Sequence, residues 1–167
     1  MNTLNEILDN AYTTREKGTG LLGRDNCSGF VRMAAAALRI KLEGQRADDQ
    51  IDYMQRNWLR VKNGVQAAEL ASQHFFVVAG VKGTDYTPPR SSGHVVVVRP
   101  FTSNERKHGK PLAHGKYPYA WGGDVTPGHP RASRGERSIS WIFNKQVLDN
   151  VRYYTPPVFG PHTPEYR

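Results

Sequence analysis

The sequence predicts an α+β fold in which N-terminal helices pack on an antiparallel β-sheet, and two observations support this prediction. Over residues 1–73, apolar side chains recur mainly at helical spacing. From His74 onward the pattern changes to short apolar and β-branched runs of strand length, separated by polar, glycine-rich and proline-rich segments. Because these runs follow one another without intervening helices, an antiparallel sheet is favoured over a parallel βαβ arrangement.

The helices are predicted from the spacing of their apolar residues and from their start signals. Thr3 followed by Glu6 fits a capping box, and it precedes apolar residues at positions 4, 7, 8 and 12. The second helix begins after a polar Asp-Asn pair that can cap it. The predicted helices cover residues 3–17, Cys27–Leu38, Ala47–Trp58 and Val65–Gln73.

The strands are predicted from apolar runs. His74–Val81 and Gly93–Arg99 are joined by a turn-rich segment over 84–92, so we expect an antiparallel hairpin. Residues 101–116 and 127–137 are polar and are expected to be loops that carry much of the positive charge. Three further strands are expected, at Tyr117–Asp124, Ser138–Phe143 and Asn150–Tyr154.

Length and composition limit the class of protein. A chain of 167 residues, 38% apolar and 23% charged, is expected to form a single domain over 1–167, with residues 155–167 as a proline-rich extended tail. No apolar run approaches the length of a membrane span. The first residues lack the pattern of a signal peptide, so we expect synthesis in the cytoplasm and no cleaved signal. The single cysteine excludes an intrachain disulfide.

That cysteine, Cys27, lies in the segment Asp25–Val31, at the start of a predicted helix. Unpaired N–H groups and the helix dipole at such a position favour a thiolate and can stabilise an oxyanion. The sequence therefore predicts a nucleophile, although a lone cysteine is also compatible with a small buried core residue.

His94 opens a predicted strand directly after Gly93. A cysteine hydrolase needs an imidazole held rigidly near its sulfur, which acts first as a base and then as an acid. A histidine at the beginning of a central strand suits that role. The other histidines show no i, i+4 pairing, so a zinc site is not expected. No other cofactor is expected.

The two motifs together resemble the NlpC/P60 branch of the papain-like cysteine peptidases. Over most of its length the chain is also similar to the type VI secretion amidase effectors, in particular the first family of these small peptidoglycan hydrolases. Four stretches in order carry this resemblance: Asp25–Val31, Phe76–Gly83, Gly93–Val98 and Lys116–Gly123.

The resemblance implies a papain-like NlpC/P60 fold and an interbacterial toxin that the type VI apparatus delivers to the periplasm of a rival cell. There it would cut the peptide stem of peptidoglycan between D-glutamate and meso-diaminopimelate, and a cognate periplasmic immunity protein would protect the producer. Such effectors are expected to be monomers and to bind no nucleic acid. Residue by residue, Cys27 matches the nucleophile and His94 the general base and acid.

The resemblance also implies a third group that orients the imidazole, on the strand after the histidine. The matching position lies near Gly122, where either a backbone carbonyl or the carboxylate of Asp124 would serve, and Asp124 is the side chain we select. The family often has an aspartate directly before the cysteine, where this chain has Asn26.

Candidate substrate-binding residues are Ser28, next to the nucleophile, and Tyr119 and Trp121, on the predicted third strand. The two aromatic residues share one face of that strand, and that face lies either in the core or in the substrate groove. Tyr86 is a further candidate for the groove, whereas Trp58 is expected in the core.

The net charge of +8 favours an anionic partner such as peptidoglycan. One alternative is a non-enzymatic nucleic-acid-binding domain, but no recognition motif supports it. Its basic residues would be Arg106–His108, Arg131, Arg134 and Arg137. Another alternative keeps the Cys–His chemistry in a cell-wall lysin that cuts a different stem bond.

Overall fold

The computed structural model describes residues 3–108, 112–126 and 131–157. In this part of the chain, no helix is long and apolar enough to cross a membrane. The helices are α1 Leu4–Thr13, α2 Cys27–Ala37, α3 Ala47–Asn57, α4 Gly64–Ser72, α5 Ser103–Lys107 and α6 Ile139–Ile142. The strands are β1 Leu59–Val61, β2 Val78–Val81, β3 His94–Val98, β4 Tyr119–Gly122, β5 Ser133–Ser138 and β6 Arg152–Thr155.

Across the described residues, the six strands form one sheet in the order β1-β6-β2-β3-β4-β5. Every neighbouring pair is antiparallel. The predicted hairpin is confirmed, because β2 pairs with β3 and places Val81 opposite His94. The α+β class and the antiparallel sheet are confirmed as well.

Both faces of the sheet are covered. Residues such as Val95 and Val97 on one face pack against α1, α2 and α3. Val96 and Val98 on the other face pack against α4 and α6. A strand that is buried on both faces has no polar side to alternate with, which explains the unbroken run of four valines in β3.

The predicted helix starts agree with the structure. At α1 the side chain of Thr3 accepts the N–H of Glu6 at 3.2 Å, and Glu6 Oε2 accepts the N–H of Thr3 at 2.6 Å. Trp58 lies in the core, as expected.

The expectation of a strand over Ser138–Phe143 was wrong. Ser138 ends β5, and Ile139–Ile142 forms one helical turn instead. Its two isoleucines are fully buried while Trp141 is exposed, which is the burial pattern of a helical turn. Six residues are too few for periodicity to separate a turn of helix from a strand.

Three other elements lie where loops were expected or no element was predicted. All of β5 except Ser138 falls within the predicted loop 127–137, and the buried positions of this strand hold only serine and glycine, so hydropathy does not reveal it. The short helix α5 lies within the predicted loop 101–116 and has no buried residue. β1 has three residues and forms an edge of the sheet. Of the predicted tail 155–167, Thr155 ends β6 and residues 158–167 lie outside the described residues.

Candidate active site

Cys27 is the first residue of α2. Asn26 precedes it in an extended conformation, with φ −153° and ψ 112°, and its carbonyl accepts the first helical hydrogen bond from the N–H of Phe30 at 2.9 Å. The Asn26 side chain does not cap the helix. Instead its Oδ1 accepts the hydroxyl of Ser28 at 3.0 Å, which leaves the first N–H groups of α2 available to the sulfur.

Burial raises the pKa of the Cys27 thiol, and the nearby charge of Asp124 acts in the same direction. The backbone N–H groups of Val95, Ser28 and Cys27 itself lower the pKa but do not outweigh burial. The side chain of Cys27 is therefore a neutral thiol, whereas the helix start alone predicted a thiolate. The contact with Val95 also places the sulfur at the beginning of β3.

His94 is the first residue of β3 and is 6% exposed. A Cβ at the preceding Gly93 would lie 1.8 Å from the carbonyl oxygen of Val81, so only glycine allows β3 to start so close to β2. Asp48 on α3 holds the same point, because its Oδ1 accepts the N–H groups of Gly93 at 2.8 Å and Gly83 at 3.0 Å.

The imidazole of His94 is neutral in the resting protein. Burial lowers its pKa from the ordinary 6.5 to about 4; the charge of Asp124 opposes this change and the charge of Arg131 adds to it. The ring packs edge-on against the buried Phe143, with 5.4 Å between centroids. In the described part of the chain, its Nε2 has no hydrogen-bond partner.

Asp124 is 6% exposed and follows β4 at the mouth of the site. Its N–H donates to the carbonyl of Arg24 at 2.9 Å, which joins the end of β4 to the turn before Cys27. Its Oδ1 accepts the N–H and hydroxyl of Thr126 at 3.2 and 3.0 Å, and its Oδ2 accepts the N–H of Arg131 at 3.2 Å. These contacts fix the carboxylate, whose charge acts on the pKa of both Cys27 and His94.

Cys27, His94 and Asp124 line one cavity of about 800 Å³. This volume is within the usual range for a ligand site. The remaining lining includes the buried Tyr86 and three arginines, at positions 46, 90 and 131. Val125, at the same cavity, is 69% exposed.

The structure separates the predicted substrate-binding residues. Ser28 lines the cavity, and its carbonyl accepts the side-chain N–H of the fully buried Gln50 at 3.0 Å. Neither Tyr119 nor Trp121 is among the lining residues. Trp121 packs edge-on against Tyr12 in the core beneath α1, and Arg99 covers the ring of Tyr119 at 4.8 Å. Trp121 therefore lies in the core and not in the substrate groove, because the N-terminal helices cover its face of the sheet.

Sequence reasoning missed several residues that shape the site. Asp48 and Gln50 hold the starts of β3 and α2 through backbone groups, and Phe143 packs on His94. Of these residues, only Gln50 could have been found from the sequence. It lies four positions before Met54, so it is a polar residue on the apolar face of α3. In the described residues, no group of three or more His, Cys, Asp or Glu could hold a metal ion.

No protein-family model matches the chain. The chain is similar to a protein of Pseudomonas aeruginosa described as the peptidoglycan amidase Tse1. The two sequences are 32% identical over 157 residues, which cover 92% of each chain.

Proposed function

The chain belongs to the family of type VI secretion amidase effectors, and we propose that it hydrolyses amide bonds in the peptide stems of peptidoglycan, with Cys27 as the nucleophile and His94 as the acid and base. The observation that carries this assignment is the meeting of the two residues. A helix start and a strand start 67 positions apart place a thiol and a buried imidazole in one cavity.

The first half of the reaction starts from two neutral groups. The Cys27 sulfur attacks the scissile carbonyl carbon while its proton passes to His94, so a C–S bond forms as the S–H bond breaks. The carbonyl oxygen becomes an oxyanion, and the N–H of Cys27 at the start of α2 donates to it. The carboxylate of Asp124 stabilises the imidazolium, consistent with its raising effect on the pKa of His94.

The second half returns the enzyme to its resting state. The imidazolium gives its proton to the leaving amine as the C–N bond breaks, which leaves a thioester on Cys27. His94 then takes a proton from water, the hydroxyl adds to the thioester carbon, and the C–S bond breaks. The products are a carboxylic acid and an amine, and the thiol regains its proton from His94.

The proposal also specifies which bond of the peptide stem is cut and where the reaction takes place. We take the target as the bond between D-glutamate and meso-diaminopimelate, cut in the periplasm of a rival cell after type VI delivery. A periplasmic immunity protein that covers the cavity would protect the producer. The relative's description as a peptidoglycan amidase supports the substrate, and the family supports the delivery.

The test is a digest of purified Gram-negative sacculi, with the released fragments identified by mass spectrometry. Wild-type protein is expected to produce fragments with a newly freed diaminopimelate amine. Cys27→Ala and His94→Ala should lower the rate by about 10³-fold or more while the protein stays folded. Fragments cut at another stem bond would contradict the bond assignment, and intact sacculi with folded wild-type protein would overturn the proposed function.

The role of Asp124 is tested separately. Asp124→Asn keeps the size of the side chain and can keep the contact with the Thr126 N–H, but it removes the charge that favours the imidazolium. We expect kcat to fall roughly 10- to 100-fold, with the acidic limb of the pH profile moved to lower pH. An unchanged profile would leave Asp124 with a purely structural role.

A further inference from the structure

The cavity beside Cys27 is unusually rich in arginine. Arg46, Arg90 and Arg131 line it, and Asp124 is the only carboxylate among the lining residues that the structure describes. With His94 neutral, the lining has an excess of positive charge at the site of the reaction.

Three arginines elsewhere in the described residues pair with carboxylates. Arg32 pairs with Glu16 at 2.7 Å, Arg99 with Glu105 at 2.6 Å and Arg134 with Asp9 at 2.6 Å. Over residues 3–108, 112–126 and 131–157, none of the three arginines of the cavity makes such a pair. The guanidinium groups around the cavity therefore remain available to a ligand.

Two of these arginines are held in place by the fold. The guanidinium of Arg90 lies 4.0 Å above the ring of Tyr86, which is 4% exposed and lines the same cavity. Such stacking uses the flat face of the guanidinium and leaves its N–H edge for hydrogen bonds. Arg131 is fixed through its backbone N–H to Asp124 and through Nη1, which donates to the carbonyl of Ile142 at 2.8 Å.

We propose that Arg90 and Arg131 form a carboxylate-binding subsite beside Cys27, which selects substrates with free carboxylates next to the scissile amide. This inference rests on the proposed function and names the feature of the stem that the site reads. Glutamate and diaminopimelate each have two carboxyl groups, and the bond between them uses only one, from glutamate. A fixed guanidinium binds such a carboxylate through paired hydrogen bonds.

The experiment compares two synthetic stem peptides, one with free carboxylates flanking the bond and one with these groups converted to amides. Wild-type protein should show a KM for the amide form about tenfold higher or more. Arg90→Gln and Arg131→Gln should raise KM for the carboxylate form by about the same factor, with kcat changed less than about twofold. Both variants should then discriminate less between the peptides.

Arg137→Gln is the matched control, because Arg137 stacks 4.2 Å over the exposed Trp141 and does not line the cavity. It removes the same charge and the same type of stacking and should leave both KM values unchanged. Equal KM values for the two peptides in the wild type would overturn the inference. So would Arg90→Gln and Arg131→Gln behaving like the control.

A binding measurement separates this inference from the proposed function. Calorimetric titration of Cys27→Ala protein with the uncut peptides should show tighter binding of the carboxylate form, and adding Arg90→Gln should reduce the difference. If the wild type cuts neither peptide, the proposed function fails while the titration still decides the subsite. Equal affinities of Cys27→Ala protein for the two peptides would overturn the proposed carboxylate-binding subsite.

Discussion

Burial controls the protonation of both Cys27 and His94. It shifts their pKa values in opposite directions, and both shifts favour the neutral form. It raises the pKa of the thiol and lowers that of the imidazole, so both are neutral near pH 7. The pair therefore differs from a resting thiolate–imidazolium pair, and in the proposed mechanism the proton moves to His94 as the sulfur attacks.

The thiol titration is directly measurable, because Cys27 is the only cysteine. We expect the ultraviolet absorbance of the thiolate to appear only above the ordinary pKa of 9.0. Cys27→Ser provides the baseline, since it lacks the thiolate but keeps the tyrosines that also absorb at high pH. A thiolate signal already present at pH 7 would contradict the neutral pair.

His94 also predicts a dependence of stability on pH. Below its ordinary pKa of 6.5 the unfolded chain binds a proton, whereas the folded protein does so only near pH 4. The free energy of unfolding should therefore fall by about 1.4 kcal/mol for each pH unit across that window. Urea unfolding at pH 7.5 and pH 4.5 measures this loss of unfolding free energy. The loss should be about 2–3 kcal/mol smaller in His94→Gln than in the wild type. Equal losses would show that His94 does not titrate in this way.

The helix α3 is connected to the candidate site by the carboxylate of Asp48. Asp48 accepts two backbone N–H groups, at the turn after β2 and at the start of β3. Asp48→Ala should cost about 2–3 kcal/mol in urea unfolding, since both donors lose a charged partner, and should lower kcat by displacing His94. Asp52 lies on the same helix and makes a more exposed ion pair with Lys82, so Asp52→Ala should cost less than about 1 kcal/mol. Similar losses for the two variants would contradict the anchoring role.

The pairing of β4 with β5 depends on an irregularity. The register shifts between Ala120 and Trp121, and Gly135 opposite them has φ +89°. A Cβ on Gly135 would lie 2.6 Å from Nε1 of Trp121, whereas one on Gly115, at φ +69°, would meet nothing within 4 Å. Gly115→Ala should cost about 1 kcal/mol of unfolding free energy and Gly135→Ala about 2 kcal/mol more. Equal costs would mean that Trp121 adapts without strain.

For the molecule as a whole, we expect the net charge of +8 to attract the protein to an anionic polymer. Raising NaCl from 50 to 500 mM should lower the rate on sacculi severalfold, because salt screens this attraction. A small neutral stem peptide serves as the control, and the rate at which it is cut should be nearly the same at 50 and 500 mM NaCl. A rate on sacculi that does not depend on salt would show that the charge has no role in binding the wall.

The fold class, the order of the main elements and the two residues of the candidate dyad could be predicted from the amino-acid sequence. Local signals sufficed there: the capping box at Thr3, the apolar runs of β2 and β3, and the Cys-Ser-Gly and Gly-His motifs. The capping box and the apolar runs depend on neighbours in the chain, so periodicity predicts them, whereas the two motifs indicate the dyad through their resemblance to a family.

Features that depend on distant neighbours could be seen only in the folded protein. Whether Ile139–Ile142 becomes a helical turn, whether Trp121 faces the core, and whether Cys27 is ionised follow from what packs against each residue. The arginines of the cavity are separated by 44 and 41 positions, from 46 to 90 and from 90 to 131, and no local pattern relates them. Burial and charge at the site are sums over such neighbours, so they arise only when the chain has folded.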